Sequence, residues 1–244
     1  MNRKTFIHNC LLGGAALAIA PQFSFSNISE FSNEELIGKG NPEVFGNGYS
    51  LRKEAYDAFI KMKAAALKEN LPIRVVSSYR TYAHQNRIWE RKYKRFTGQG
   101  LSPINAIIKI VEYSTIPGTS RHHWATDIDI VLEVQNPPKD VLLAKHFHNN
   151  GPFCKLKEWL DEHSESFGFH LVYTDNANRK GFKYEPWHFT YAPLSKKMLE
   201  AYRKFDVKTM LQKEKLMGSE HFTTEFIDQY IKENILDINP YLLE

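Results

Sequence analysis

The sequence predicts an α+β fold in which a small, mainly antiparallel sheet is packed with helices on one side. Several stretches repeat apolar residues at three- and four-residue steps, as amphipathic helices do, whereas short β-branched or alternating segments are typical of strands. Helices and strands come in runs and not in strict alternation, which indicates α+β rather than a parallel α/β sheet. With 244 residues, of which 42% are hydrophobic, the chain is long enough for one domain and an extension.

The N-terminus has the pattern of an export signal. Arg3 and Lys4 precede an apolar run that ends at Ala20, after which the composition turns to serine. The run is shorter than the roughly 20 apolar residues of a comfortable membrane span, with a retained anchor as the alternative. We expect cleavage after Ala20 or Ser26, and therefore an exported protein of the periplasm or cell envelope without a stable membrane span.

Charge and cysteine content limit the partners and cross-links that the chain can have. Loss of Arg3 and Lys4 with the signal lowers the formal charge from +4 to about +2, which gives no argument for nucleic-acid binding. Cys154 then remains without a second cysteine, so an intramolecular disulfide is excluded from the processed chain. Its place in a predicted helix favours a core residue over a nucleophile. We expect a monomer stabilised by its core and by a metal.

Turn and cap residues divide the rest of the chain into elements. In chain order, the predicted elements are a helix capped by Ser50 and ending before Pro72, a strand at 73–77, a helix at 81–96, a short helix from Ser102-Pro103, a strand at 126–131, a helix at 152–167 stopped by Gly168, a strand at 169–173 and a strand at 184–191. Helices near 195–205 and 223–234 contain no chemical motif. The expected organisation is an export signal at 1–26, a linker at 27–49, one domain at 50–194 and a helical C-terminal extension at 195–244.

Two short motifs contain the residue types of a mononuclear zinc site. A catalytic zinc takes three protein ligands and leaves a fourth position to water, whose pKa falls to about 7. His122, Asp129 and His188 supply three such ligands. Glu185 comes three residues before His188 and is free to act as the general base that takes a proton from the water. We therefore expect the sheet to carry a zinc site.

The spacing of the first motif is compatible with one site. The alternation at 126–131 predicts a strand, so Asp127 and Asp129 share a face. His122 is too far from Asp129 for a neighbour on one regular element, and it has to fold back from the turn that contains Gly118.

The second motif needs a local bend. Glu185 and His188 would point to opposite faces of a straight strand because they are three residues apart. Pro186 lies between them, fixes its own φ and removes a backbone donor. We expect it to produce a kink or to place the segment at an edge of the sheet.

Together these motifs, Ser-x-His-(six residues)-Asp followed by Glu-x-Trp-His, resemble the signature of the zinc D-alanyl-D-alanine peptidases. This family includes the VanY-type D,D-carboxypeptidases and their VanX-type dipeptidase relatives. The resemblance implies one zinc per chain, held by His122, Asp129 and His188, with Glu185 as the base and Ser120 as the motif serine that contacts substrate.

A second element of the family, Ser-x-Tyr-Arg followed by Gln five residues after the Arg, is similar to Ser77-Ser78-Tyr79-Arg80 and Gln85. The resemblance implies that Arg80 stabilises the oxyanion of the scissile carbonyl and that Gln85 and Tyr79 help to bind substrate. Trp187 is either a wall of the substrate site or an aromatic core residue, and the same holds for Trp124.

The resemblance extends over roughly residues 50 to 192, and it has two departures. The family usually has Gly at the position of Ala125 and Ala at the position of Asp127, so the backbone and the charge beside the metal differ here. Asp127 is expected to be a strand residue or an acceptor for a ligand rather than a ligand. The segment 139–150 is either a lid or a surface insertion, and we favour the insertion.

The resemblance implies removal of the terminal D-Ala from peptidoglycan stem peptides. A D,D-dipeptidase or a cross-link-cutting endopeptidase with the same metal chemistry is the alternative enzyme. A zinc-binding domain that recognises wall peptide without cleaving it is the alternative outside the enzymes, and the presence of Glu185 argues against it.

Overall fold

A small antiparallel sheet lies at the centre of the computed structural model, which describes residues 30–244. The predicted export signal at 1–26 lies outside the described residues. Within the described part, four strands are ordered β1-β2-β4-β3, and every neighbouring pair is antiparallel. The strands are β1 (Ile73–Ser77), β2 (Asp127–Leu132), β3 (Phe169–Leu171) and β4 (His188–Tyr191). The predicted α+β class and the small antiparallel sheet are confirmed.

Helices precede, separate and follow these strands. They are α1 (Asn33–Leu36), α2 (Lys53–Lys68), α3 (Tyr82–Gly98), α4 (Pro103–Ile110), α5 (Cys154–His163), α6 (Ala192–Lys204), α7 (Val207–Lys213) and α8 (Thr224–Tyr230). Short 3₁₀ turns at Arg121–Trp124, Ala144–Phe147 and Ser164–Phe167 complete the connections around the sheet. Among residues 30–244, no helix has both the length and the apolar character needed to cross a membrane.

The two faces of the sheet differ in polarity and in what covers them. Ile128 and Ile130 of β2 and Phe189 of β4 are buried in a cluster that includes Phe59 and Met62 of α2, and residues of α5 also pack there. Because side chains alternate along a strand, the intervening polar residues of β2 and β4 project from the opposite face. The predicted helix layer therefore covers one face and leaves the other to the polar site.

Side-chain caps mark the starts of α3 and α4 but not the start of α2. Thr81 caps α3 and Ser102 caps α4, each by accepting a backbone N–H through its hydroxyl. Ser50 does not cap α2, which begins at Lys53 after Arg52. The backbone N–H of Ser50 instead donates to Ser78 Oγ at 2.9 Å. The helix begins two residues later than a cap at Ser50 predicts, and Arg52 at the cap position makes no side-chain cap bond.

The segment before β4 bends as Pro186 predicts. A turn closed by the bond from the His188 N–H to the Glu185 carbonyl, 3.0 Å, precedes β4, which begins at His188 and not near Tyr184. The turn lets Glu185 and His188 reach the same side. The edge alternative is wrong, because β4 lies between β2 and β3.

Residues Phe31–Glu244 form one compact unit, which includes residues 31–49 of the expected linker and the whole expected C-terminal extension. Tyr202 of α6 and Tyr230 of α8 are buried in the same apolar cluster as Trp89 of α3. Near the N-terminus, the Leu36 carbonyl accepts a hydrogen bond from Trp124 Nε1 at 3.1 Å. Helix α7 was not predicted. Cys154, which we expected in the core, is half-buried at the start of α5.

Candidate active site

Three buried side chains on the polar face of the sheet form a group that can hold a metal ion. Asp129 of β2 lies directly across from His188 of β4, and the 3₁₀ turn before β2 brings His122 to the same place. One ligand atom from each of the three residues lies within 4.8 Å of the others. The structure therefore brings together the three predicted ligands.

Hydrogen bonds orient the two imidazole rings. His122 Nδ1 lies 2.8 Å from the Ser78 carbonyl, to which it donates, so Nε2 is directed at Asp129. His188 Nε2 lies 3.0 Å from Asp127 Oδ1, which leaves Nδ1 facing Asp129 and Glu185. A ligating histidine in proteins usually donates its other ring N–H in this way.

The donor set fits zinc. Asp129 Oδ1 is buried and has no hydrogen-bond partner, so it has a free lone pair at the centre of the group. Burial raises the pKa of Asp129, but the adjacent His122, His188 and Arg80 outweigh burial and lower it to about 2. Two imidazole nitrogens and one ionised carboxylate are ligands that zinc prefers, and they leave a fourth position open.

Asp127 lies behind His188 and not at the metal position. Its carboxylate accepts hydrogen bonds from Arg121 Nε at 2.9 Å, Thr190 Oγ1 at 2.7 Å and Thr126 Oγ1 at 2.6 Å, besides its contact with His188. Burial alone would raise the pKa of Asp127, yet the Arg121 charge and the His188 bond hold it well below its usual range. Its negative charge is therefore paired, and it serves His188 as an acceptor.

Ala125 adopts a backbone conformation that favours glycine. It ends the 3₁₀ turn with φ 56° and ψ 31°, in the left-handed region. This turn reverses the chain between His122 and β2, and the Ala125 carbonyl accepts from the Arg52 N–H at 2.9 Å. The departure from the family's glycine therefore leaves the turn intact, at the cost of a strained residue.

Glu185 is placed to act on a molecule bound at the metal group. Its Oε2 lies 3.1 Å from His188 Nδ1, and the side chain is buried at the cavity wall. Burial raises the pKa of Glu185, against the opposing effects of His188 and Arg80. A raised pKa suits a carboxylate that first accepts a proton and later returns it.

Arg80 reaches the group from the segment after β1. Its Nε donates to Ser77 Oγ at 3.0 Å, Nη1 donates to Gln85 Oε1 at 2.9 Å and Nη2 lies 3.4 Å from Asp129 Oδ2. An irregularity in the register of β1 between Val75 and Ser77 accompanies this placement. Three of the five N–H donors of the guanidinium are thereby used, and the remaining two are available to a substrate.

The other predicted substrate residues divide into two groups. Ser120 lines the cavity with a buried hydroxyl that has no partner, and Trp187 lines it while packing on Phe147 at 5.7 Å between ring centroids. Gln85 is fully buried between Arg80 and the Thr115 carbonyl, so it supports Arg80 and is absent from the cavity wall as described. The Tyr79 hydroxyl lies 3.4 Å from the Gly40 carbonyl oxygen, and Tyr79 is likewise not among the residues that line the cavity.

A cavity of about 490 Å³ contains these groups. Its volume falls in the range of roughly 300 to 1,000 Å³ that is typical of ligand sites. Leu142 and Leu143, from the segment that we favoured as a surface insertion, contribute to its wall, so that segment covers part of the site. Sequence reasoning missed Tyr173, Phe182 and Lys92. None of these three residues lies in one of the sequence motifs described above.

The fold and parts of the sequence are similar to known proteins. The bifunctional D-Ala-D-Ala dipeptidase and D-Ala-D-Ala carboxypeptidase VanXYC of Enterococcus gallinarum is 28% identical over 160 residues, which are 62% of this chain and 75% of that protein. A D-alanyl-D-alanine carboxypeptidase of Enterococcus faecalis is 30% identical over 118 residues, 48% of this chain and 39% of that protein.

Two solved structures share the fold. VanYB in complex with D-alanine-D-alanine has a TM-score of 0.52 at 23% identity. The match covers 72% of this chain and 92% of the VanYB chain. A vancomycin resistance D,D-pentapeptidase VanY in complex with Zn(II) has a TM-score of 0.51 at 22% identity. The match covers 70% of this chain and 90% of that structure's chain. The family model of VanY, D-alanyl-D-alanine carboxypeptidase, matches residues 48–194, more than half of the chain. The chain therefore belongs to the VanY family of D-alanyl-D-alanine carboxypeptidases.

Proposed function

We propose that this chain is an exported, zinc-dependent D-alanyl-D-alanine carboxypeptidase that removes the terminal D-Ala from peptidoglycan stem peptides. One observation carries the proposal: His122, Asp129 and His188 meet in a single cavity with Glu185 beside them. A binding module would not need a buried carboxylate at that place. Family membership supports the substrate class.

His122 Nε2, His188 Nδ1 and the Asp129 carboxylate would hold the zinc. When bound, zinc supplies a Lewis acid for the scissile carbonyl and makes water acidic enough to attack near neutral pH. Glu185 accepts the proton of the attacking water on its carboxylate and returns that proton to the nitrogen of the leaving D-Ala.

The substrate is positioned by groups on either side of this centre. Arg80 donates to the carbonyl oxygen as negative charge develops on it, and its half-buried side chain makes such a donor more effective than one in open water. The unpaired hydroxyl of Ser120 is available to a polar atom of the peptide. Leu142 and Leu143 add apolar surface to the cavity wall.

Product analysis of a pentapeptide ending in D-Ala-D-Ala tests this function. Zinc-loaded protein should release D-Ala and leave a tetrapeptide, and a chelator should stop the reaction. Glu185→Gln should keep zinc but lose activity by ~10²-fold or more, because an amide fills the same space without accepting a proton. Activity of the variant above about a tenth of wild type would contradict the role of Glu185. Free D-Ala-D-Ala, supplied alone, separates a dipeptidase from a carboxypeptidase.

Metal analysis tests the ligand set and the proposed stoichiometry of one zinc per chain. Asp129→Ala should abolish zinc binding because it removes one of three ligands. Full zinc content in Asp129→Ala, together with loss of zinc in Asp127→Ala, would show that Asp127 is the ligand. Asp127 lies two residues earlier on the same face of the strand.

Export is a separate part of the proposal. It is supported by the basic start and apolar run within residues 1–26. Cell fractionation with N-terminal sequencing of the processed protein should locate it outside the cytoplasm and begin it at Pro21 or Asn27. An unprocessed N-terminus would favour the retained anchor.

A further inference from the structure

Helix α3 presents a basic edge to the catalytic cavity that the proposed chemistry does not use. His84, Ile88, Arg91 and Lys92 all contribute to the cavity wall. Their spacing of three and four residues places them along one side of the helix. His84 and Arg91 are exposed, whereas Lys92 is half-buried, so Lys92 is the innermost cation of this edge.

Lys92 is anchored by a neutral partner. Its Nζ donates to Ser114 Oγ at 2.7 Å, and Ser114 is buried. Within residues 30–244, no carboxylate lies at ion-pair distance from Lys92, whereas Arg80 faces Asp129 and Arg121 pairs with Asp127. An ammonium with three N–H donors therefore has capacity for a further acceptor.

This arrangement has an energetic cost that a ligand would offset. Burial, together with the neighbouring Arg95 and Arg80, lowers the pKa of Lys92 to about 8, while Glu185 acts in the opposite direction. Lys92 thus carries a positive charge near neutral pH without a matching anion. Taking an unpaired charge out of water is unfavourable, and an anion that enters the cavity relieves that penalty.

The neighbouring hydroxyls favour an anion at the same place. Ser114 Oγ accepts from Lys92, so its own O–H remains free to donate. Thr115 is the next residue along the cavity wall, and its Oγ1 is buried without a partner. The ammonium and the Ser114 hydroxyl, 2.7 Å apart, can donate together to the two oxygens of a carboxylate.

We propose that Lys92, with Ser114 and Thr115, forms a subsite that binds a carboxylate of the peptide substrate. The proposal rests on the proposed function, because it concerns the peptide that occupies the catalytic cavity. The carboxylate belongs either to the C-terminus of the peptide or to an acidic residue upstream of the cleaved bond. Lys92 is a binding and specificity residue for either source.

Calorimetric binding of an acyl peptide ending in D-Ala-D-Ala tests the subsite without turnover. The measurements use zinc-loaded Glu185→Gln protein, with Lys92→Met as the variant and Lys94→Met, an exposed lysine of the same helix, as the control. Lys92→Met should weaken binding by about 10- to 100-fold, which is the range for a hydrogen bond to a charged group. Lys94→Met should bind as the parent does.

Two altered peptides distinguish the source of the carboxylate. One peptide has an amidated C-terminus, and the other has its upstream acidic residue replaced by the corresponding amide. The peptide that lacks the relevant carboxylate should bind the parent weakly and show no further loss with Lys92→Met, because the interacting pair is already broken. If Lys92→Met lost the same factor of affinity with every peptide, including those without a carboxylate, the proposal would be overturned.

Unchanged binding by a folded Lys92→Met protein with full zinc content would also overturn it. Where Lys92→Met fails to fold, Ser114→Ala, which keeps the ammonium, is measured with the same peptides and should show a smaller loss with the same carboxylate dependence. Turnover by the wild-type protein is assayed separately. If the wild type does not turn over the peptide but binding depends on the carboxylate, the proposed reaction is rejected and the subsite is supported. If the wild type turns over the peptide and Lys92→Met binds it as the parent does, the subsite alone is rejected.

Discussion

His188 lies between carboxylates that perform different tasks. Asp127 binds the ring nitrogen that faces away from the centre, whereas Asp129 and Glu185 approach the other nitrogen. Asp127 replaces the alanine that is usual in the family, and Arg121 neutralises its charge. The aspartate at position 127 is therefore a buried hydrogen-bond partner of His188, one of the three candidate ligands, and lies outside the candidate metal group.

Asp127→Asn should reduce zinc affinity by about 10- to 100-fold, because the loss of a charged partner weakens the orientation and basicity of the His188 ring. Titration against a competing chelator measures the effect. Asp175→Asn, which alters an exposed carboxylate, is the matched control. Wild-type affinity in Asp127→Asn would reduce Asp127 to a structural partner of Arg121.

Arg80 is held by Ser77 and Gln85 so firmly that its guanidinium is oriented before substrate enters. Arg80→Ala should lower kcat by ~10² to 10³, since removal of one oxyanion donor typically costs about 2.7 to 4 kcal/mol. Arg80→Lys should recover only part of the loss, because an ammonium lacks the planar fork. Steady-state kinetics with a pentapeptide separate kcat from KM. A rise in KM alone would mean that Arg80 contributes uniform substrate binding.

At the scale of elements, a short turn and a short bend create the site. The 3₁₀ turn Arg121–Trp124 returns His122 to the sheet, and the turn at Pro186 rotates Glu185 to the side of His188. Both devices are local, and both depend on backbone conformations outside regular strands. Changes to the turn residues should therefore affect stability without removing any metal ligand.

Ala125→Gly should raise the free energy of unfolding by roughly 0.5 to 1 kcal/mol. An L-residue in the left-handed region costs about 1 to 2 kcal/mol, and the greater entropy of glycine in the unfolded chain cancels part of the gain. Urea denaturation of the wild type and the variant measures the difference. Ala125→Val serves as the opposite case and should be destabilised by its branched side chain. A less stable Ala125→Gly protein would show that the αL strain of Ala125 costs little.

At the scale of the whole molecule, the C-terminal helices support the segment that leads into the metal motif. The Tyr230 hydroxyl of α8 accepts the Ile116 N–H at 3.0 Å and lies 2.8 Å from Thr119 Oγ1. Tyr202 of α6 donates to the Gly118 carbonyl at 2.8 Å. These contacts connect residues more than 80 positions apart to the turn before His122.

Tyr230→Phe should destabilise the protein by about 1 to 3 kcal/mol, because the Ile116 N–H is left buried without an acceptor. We also expect weaker zinc binding, since this segment positions the turn that carries His122. Denaturation and zinc titration measure both effects, and Tyr241→Phe, at a half-exposed ring, is the control. Loss of stability with unchanged zinc affinity would confine the helix to a structural role.

Several features of the fold and site follow from local sequence patterns. The alternation of β2 predicts that Asp127 and Asp129 share a face, Pro186 predicts the bend before His188, and Thr81 predicts the start of α3. These predictions succeed because side-chain alternation, proline geometry and helix capping act over a few residues. For the same reason, the two motifs identify the candidate ligands His122, Asp129 and His188 before any fold is known.

Other features depend on contacts that have no local signature. Gln85 is held away from the cavity wall by its bond to the Thr115 carbonyl, and Ser50 lies outside the cap of α2 with its backbone N–H bonded to Ser78, so each position depends on a partner from a distant segment. The predicted extension joins the core through Tyr230 for the same reason, and α3 brings Lys92 to the catalytic cavity. Burial and partner choice are settled only when distant segments pack together. The sequence alone thus determined which residues are candidate metal ligands, whereas the tertiary structure decided which polar groups face the cavity.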